Sequence, residues 1–317
     1  MNITEEVLAA EQRIRPHIRE TILDYSPYYS QLTGANVYFK LENLQHTGSF
    51  KVRGAMNKVL SLTPAERERG VVTASTGNHG AATAFSLGKF GATGMVFVPQ
   101  DAAAGKVQAI KRLGAEVRHY GNDGAVTEAR ARQYARDNRL TYISPYNDPQ
   151  VIGGQGTIAV ELVKQLDPID AVFVALGGGG LISGIAGHLK SIRPGVSIVG
   201  CSPVNSQVMI ESVKAGKILE LPSLPTLSDG TAGGLEPGSI TFDLCRKLVD
   251  DYESLSENEI RESLRQYLQI HHMLIEGAAA AALAGCVKRR GRLAGKNVVV
   301  VLCGANISLE TLKEVLW

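Results

Sequence analysis

The stretch "VVTASTGNHGAATAFSLGKFGATGMVFV", Val71 to Val98, decides the fold. A short apolar run, Val71 to Ala74, stops at small polar residues. A helix-length segment follows from Asn78 to Phe90, and a second apolar run closes the stretch at Met95 to Val98. Two such runs joined through a helix are parallel strands, because the helix carries the chain back to the same end of the sheet. Outward from this unit the rhythm repeats. "TGMVFV" precedes "GKVQAIKRLG", and "AEVRHY" precedes "GAVTEARARQYARDN". Later "AVFVAL" leads to "LISGIAGHLKSI" and "SIVGCS", and "NVVVVLC" leads to "SLETLKEVL". Near-continuous Val, Ile and Leu runs suit strands covered on both faces. The expected class is therefore α/β and doubly wound, and 317 residues exceed one small sheet.

The bulk composition narrows the function. Hydrophobic residues make up 44% and charged residues 20%, as in ordinary globular proteins. A formal net charge of +2 supplies no electrostatic reason for nucleic acid or an anionic membrane as partner. Cys201, Cys245, Cys286 and Cys303 stand singly, which suits reduced thiols in the cytoplasm. The charged, amphipathic start "MNITEEVLAAEQRIRPHIRE" lacks the apolar centre of a signal peptide. The longest irregular stretch, "LELPSLPTLSDGTAGGLEPGS", is rich in Pro and Gly. Its length inside a compact protein points to function.

Three constellations carry chemistry. In "VYFKLENLQ", Val37, Phe39 and Leu41 alternate with Tyr38, Lys40 and Glu42, the pattern of a half-buried strand. A polar turn follows, and Lys51 then opens a helix beside Phe50. The tetraglycine run Gly177 to Gly180 lies between a strand and a helix, and it departs from the dinucleotide-binding glycine pattern. Four residues without Cβ let backbone N–H groups wrap an oxyanion at a helix N-terminus, which suits a phosphate. In "STGNHG", Ser75, Thr76 and the nearby N–H groups can face one small anion, beside Asn78 and His79. A plain helix cap by Ser75 or Thr76 is the simpler alternative.

Together "KLENLQHTGSFKVRGA", "STGNHG", "GGQGT", "GGGGLISG" and "CGAN" resemble, in order and spacing, the pyridoxal-phosphate enzymes of fold type II. The likeness spans nearly the whole chain and is to the serine/threonine dehydratase and serine racemase branch. It implies pyridoxal 5'-phosphate as cofactor and Lys51 as the Schiff-base lysine that also removes the Cα proton. It implies that Phe50 touches the cofactor ring, Asn78 bonds its 3-hydroxyl, and Cys303 faces the pyridine nitrogen. Gly177, Gly178, Gly179, Gly180 and Leu181 would hold the phosphate. Ser75, Thr76, Asn78 and His79 would bind the substrate, with no proton-transfer role for His79. The architecture implied is a large domain of residues 1–67 and 147–317 and a small one of 68–146, with the site in the cleft between them.

Departures from the family pattern sharpen the expectation. Ser202 stands where some members carry a glutamate metal ligand, so no metal site is expected. Ala305 adds a methyl group to the "SGGN"-like motif. Thr76 replaces a serine that racemases use, and its branched side chain restricts the rotamers that could reach Cα. A thiol such as Cys303 is a weak donor and cannot hold a proton on the ring, which favours β-elimination. The chain ends soon after "CGANISLETLKEVLW", so no regulatory domain is expected. The resulting expectation is a cytoplasmic dehydratase, or ammonia-lyase, acting on a β-hydroxy-α-amino acid. The substrate would be threonine, serine or a bulkier analogue such as phenylserine or a hydroxyectoine-derived compound. An amino-acid racemase is the nearest alternative, and a non-catalytic cofactor carrier or nucleotide-binding module is the alternative of another class. A homodimer is one option for assembly.

Overall fold

The computed structural model describes residues 2–122 and 124–317. The chain opens with α1 (Ile3–Ile14), then β1 (Leu23–Tyr25), α2 (Pro27–Thr33) and β2 (Asn36–Lys40). Two 3-10 turns deliver it to α3 (Lys51–Ser61) and α4 (Pro64–Arg69). A strand–helix walk follows through β3 (Val71–Ala74), α5 (Asn78–Phe90), β4 (Gly94–Val98) and α6 (Ala104–Arg112). It ends with β5 (Glu116–His119), α7 (Gly124–Asp137) and β6 (Thr141–Tyr142). The return is α8 (Pro149–Gln165), β7 (Ala171–Ala175), α9 (Gly180–Ile192), β8 (Ser197–Pro203) and α10 (Val208–Ala215). After the long irregular stretch come α11 (Ile240–Leu248), β9 (Asp251–Leu255), α12 (Glu257–His271) and α13 (Gly277–Lys288). β10 (Asn297–Val301) and α14 (Leu309–Leu316) complete it.

The strands form two sheets, as the α/β expectation requires. One has six strands in the order β1-β2-β10-β7-β8-β9, the other four in the order β5-β4-β3-β6. Every pairing is parallel except β1 with β2. β1 and β9 are edge strands that the sequence pattern does not announce, because each carries polar residues and little apolar alternation. In the interior, all five residues of β7 and Val298 to Val301 of β10 are buried, the mark of a strand covered on both sides. α13 explains how the cover comes so close. Its residues Gly277 to Cys286 are all buried, and a Cβ at Gly285 would lie 2.4 Å from the Cys201 sulfur. The described residues contain no helix long and apolar enough to cross a membrane.

The "GGQGT" motif turns out to be a packing device. It lies inside α8, where a Cβ on Gly154 would stand 2.5 Å from the Arg53 carbonyl oxygen. A Cβ on Gly156 would stand 2.7 Å from the Gly184 carbonyl oxygen. α8 therefore touches α3 on one side and α9 on the other at backbone distance. Those two helices begin at Lys51 and Gly180, so the packing sets the separation between lysine and tetraglycine turn.

A correction concerns "KLEN". The strand stops at Lys40, and Lys40 and Glu42 are fully buried instead of facing solvent. The reason is an ion network. Arg53 Nε and Nη2 donate to the two Glu42 oxygens at 2.8 Å each, while its Nη1 donates to Glu161 at 2.7 Å and Thr157 at 3.0 Å. Lys40 donates to the other Glu161 oxygen, to the Thr21 carbonyl and to Gln165. Burial works to raise the Glu161 carboxyl, but Arg53 and Lys40 hold it down at about 2. Burial lowers the Lys40 amine despite that neighbour. Removing one member strands the others without a partner in low dielectric. Arg53→Met should therefore cost about 3–5 kcal/mol of stability, read from denaturant unfolding. Adding Glu42→Gln to it should recover part of that loss.

Candidate active site

Lys51 is the first residue of α3, and a short crossing of chain places it. Ser49 bridges Gly304, and the Phe50 N–H donates to the Cys303 carbonyl at 3.0 Å. The lysine is half-buried, its amine 5.2 Å from the centroid of the buried Phe50 ring. Its Nζ donates to the Pro145 carbonyl at 3.0 Å. Burial lowers the amine from its usual range to about 8, against the opposing pull of Cys303 and Glu276. At that value roughly a tenth of it is neutral at pH 7, where an exposed lysine would hold less than a thousandth. The surroundings are less apolar than Phe50 alone suggests, since a carbonyl, a thiol and a carboxyl all approach.

That carboxyl is Glu276, which the sequence reading missed. It is buried at the N-cap of α13, and both its oxygens accept from Asn78 Nδ2 at 2.9 Å. The Asn306 N–H donates to it at 3.2 Å, and the Cys303 thiol points at it from 3.8 Å. Asn306 Nδ2 in turn donates to Asn78 Oδ1 at 2.6 Å. Burial raises the Glu276 carboxyl, with Asn78 working against it, and burial beside Glu276 pushes the Cys303 thiol well above its ordinary value. Cys303 is thus a neutral thiol. Gly304 must lack a side chain, because a Cβ there would meet the Glu276 carboxylate at 2.6 Å. The available signal was an isolated acid opening an otherwise apolar run, "LIEGAAAAALAG".

The "STGNHG" segment opens α5, but not through the side-chain cap that a simple reading allows. The N-cap is Gly77 without a side-chain bond, and the Ser75 hydroxyl accepts from the Gly77 N–H at 3.1 Å. Ser75, Thr76, Gly77 and Asn78 are half-buried. His79 is turned inward and buried. Its Nε2 lies 3.1 Å from the Ile143 carbonyl, which can only accept, so the proton sits on Nε2. Burial, helped by Lys51, lowers its pKa to about 3, so the ring is neutral. The side chain supports the loop from behind.

The tetraglycine turn caps α9, with Gly179 in the left-handed region at φ 82°. Among the described residues, no acceptor faces the N–H groups of Gly178, Gly179, Gly180 and Leu181. Four unpaired donors at the start of a 13-residue helix form a cradle for an anion. Neighbouring chain crowds the turn from outside. A Cβ on Gly177 would meet the Thr231 carbonyl oxygen at 2.7 Å, and one on Gly178 would meet the Tyr146 ring at 2.4 Å. Thr241 donates to the Gly178 carbonyl at 2.6 Å. The segment Pro145–Tyr146 thus links the two halves of the site: the first residue holds Lys51, the second backs the turn. The long irregular stretch reaches the site through Thr231. Ser202 donates to the Leu176 carbonyl at 2.6 Å, committing its hydroxyl to the backbone.

Comparison with known proteins points the same way. Residues 14–304 match a family described as "Pyridoxal-phosphate dependent enzyme". The catabolic L-threonine dehydratase of Escherichia coli is 37% identical over 98% of this chain and 95% of its own. Among solved structures, maize serine racemase superposes with a TM-score of 0.92 at 30% identity, covering 99% of this chain and 96% of that one. The processed threonine deaminase isoform 2 of Solanum lycopersicum gives 0.93 at 30% identity, covering 99% and 92%.

The crowding of the turn has a direct consequence. Gly178→Ala should destabilise the protein by about 1–3 kcal/mol through overpacking against the ring of Tyr146. Chemical denaturation checks it: adding Tyr146→Ala should relieve the clash, so the double variant should lose less than the two single losses combined.

Proposed function

The chain belongs to the pyridoxal-phosphate dependent enzymes and is a lyase of the threonine dehydratase kind, and we propose that it removes water from a β-hydroxy-α-amino acid to give an enamine, which takes up water again to release a 2-oxo acid and ammonia. One observation carries this reading: a helix-opening lysine, its amine lowered to about 8, lies one residue contact away from a cradle of unpaired N–H groups. The residues fit the cofactor. The cradle suits its phosphate, the Lys51 amine its aldehyde, and the Asn78 amide its 3-hydroxyl. Phe50 suits contact with its ring, and the Cys303 thiol a place at its pyridine nitrogen. When bound, pyridoxal phosphate supplies the electron sink that lets a Cα–H bond break.

The protein's own groups do the rest. Lys51 is the base that takes the Cα proton, because its amine is neutral for a useful fraction of the time near neutral pH. Gly177 to Gly180 and Leu181 bind the phosphate through their N–H groups. Ser75, Thr76 and Asn78 at the start of α5 bind the substrate carboxylate, with His79 behind them. Asn78 keeps its orientation because Glu276 and Asn306 grip its amide from both ends. Cys303, a neutral thiol, does not place a charge beside the pyridine nitrogen, and this favours expulsion of the β-hydroxyl over a long-lived carbanion. The two sheets would be the cores of two domains, 1–67 with 147–317 and 68–146. Closing the cleft would exclude water. The same reading places the enzyme in the cytoplasm, acting on threonine, serine or a bulkier analogue such as phenylserine or a hydroxyectoine-derived compound.

Two measurements test this. In cofactor-free protein, visible absorbance should report pyridoxal phosphate attaching faster as pH rises, levelling off above about 8. The sign follows from attack by the neutral amine; a rate still climbing at pH 10 would mean an ordinary lysine. Lys51→Ala should abolish attachment and cut turnover by orders of magnitude.

The second measurement separates dehydratase from racemase. Ammonia and 2-oxo acid are assayed beside the chirality of unreacted substrate. Elimination should dominate, since the branched Thr76 is committed to the carboxylate and is a poor acid for the opposite face. Inversion outrunning ammonia release, and lost selectively in Thr76→Ala, would make the enzyme a racemase.

A further inference from the structure

Glu236 lies in the long Pro- and Gly-rich stretch, within "GGLEPGS", and has no place in the chemistry above. Its side chain is four-fifths buried, and its partners come from two directions. On one side is Arg132 of α7, in the layer of the four-stranded sheet. On the other is the segment that joins this layer to α8: Ser144 donates to Oε1 at 3.2 Å and Asn147 Nδ2 to Oε2 at 2.9 Å. The Glu236 N–H donates to the Tyr146 hydroxyl at 2.9 Å. Asn147 Oδ1 accepts from the Ile240 N–H at 3.0 Å, closing a second link between the same two stretches.

This segment matters because of what it carries. Pro145 accepts the Lys51 amine, and the Tyr146 ring backs Gly178. Arg132 arrives already oriented, bonded to Glu128 at 2.8 Å and stacked over the Tyr142 ring at 4.2 Å. A second ion pair also joins the stretch to the four-stranded layer, Lys106 with Asp229. At 3.7 Å and largely exposed, it contributes little. We propose that Glu236 is a positioning residue: its carboxylate ties α7 to the Ser144–Asn147 segment, so that approach of the four-stranded layer and alignment of Lys51 with the tetraglycine turn occur together. The inference rests on Lys51 and that turn forming the reactive site.

The test uses the holoenzyme and the variants Glu236→Gln, Arg132→Met and their combination. Glu236→Gln keeps the shape and leaves Arg132 its Glu128 partner, so melting temperatures should stay within about 2 °C of the parent. Each single variant should release pyridoxal phosphate about tenfold faster during dialysis, followed by visible absorbance. Each should also raise KM for L-threonine or L-serine about tenfold, with kcat within about threefold. The double variant should be no more than about twofold worse than either single one, because both remove the same contact. Release rates equal to the parent, effects that multiply in the double variant, or losses that track melting temperature would overturn the proposal. Cofactor release does not depend on the reaction catalysed, so failure to form a 2-oxo acid would sink the dehydratase reading and leave this one standing.

Discussion

The rest of this structure depends on the way Arg53 is held. Its guanidinium spends both edges on carboxylates, gripping Glu42 with two bonds and reaching Glu161 with a third. All three side chains are fully buried. Guanidinium suits this place because it is planar, permanently charged and able to satisfy two acids at fixed angles. A buried charge of this sort adds little net stability over an apolar substitute, but it permits few alternative arrangements. Here it locks α3, the turn after β2 and α8 in one register. Lys51 is two residues from Arg53, so its position is inherited from the network.

Where the amine ends up then determines its chemistry. The side chain leaves the helix start toward a backbone carbonyl and away from bulk water, and desolvation lowers its pKa. The same burial acts in the opposite sense on acids and thiols. It raises Glu276 and Cys303, so the site gathers a partly neutral amine, a neutral thiol and a carboxyl that resists ionisation. Lys51 stays mostly protonated at pH 7, and the N–H cradle at α9 adds a second attraction for an anion. A dianionic phosphate is well matched to four unpaired donors and a helix start.

The two layers meet through side chains of modest reach. Asn78 crosses from α5 to Glu276 and Asn306, and Arg132 crosses from α7 to Glu236. Both crossings land beside the groups they would organise: the first beside Cys303, the second beside Pro145 and Tyr146. Racemases and dehydratases share this scaffold among the solved structures it resembles. A shared backbone leaves the difference between them to individual side chains. On the function proposed above, Thr76 would be one of them, since one added methyl changes which rotamers its hydroxyl can adopt.

Much of this was legible in the chain itself, and for a local reason. Apolar runs between helical segments report parallel strands because burial on both faces tolerates no polar alternation, as in β7 and β10. Lys51 at a helix start and the glycine run before α9 are likewise properties of neighbouring residues. What the pattern misread, it misread through long-range pairing. Lys40 and Glu42 look like the wet face of a strand until Glu161, more than a hundred residues on, neutralises one and Arg53 the other. "GGQGT" by itself does not show that helices converge on it at backbone distance. Pro145 and Tyr146 carry no signature, and Glu276 only that of a lone acid before an apolar run, because a buried acid, a carbonyl and a ring become site residues only through what the fold sets against them. The sequence determined most of the elements, though not the edge strands β1 and β9, and placed Lys51 at a helix start. Only the tertiary structure decided which charges are dry, and so which of them can react.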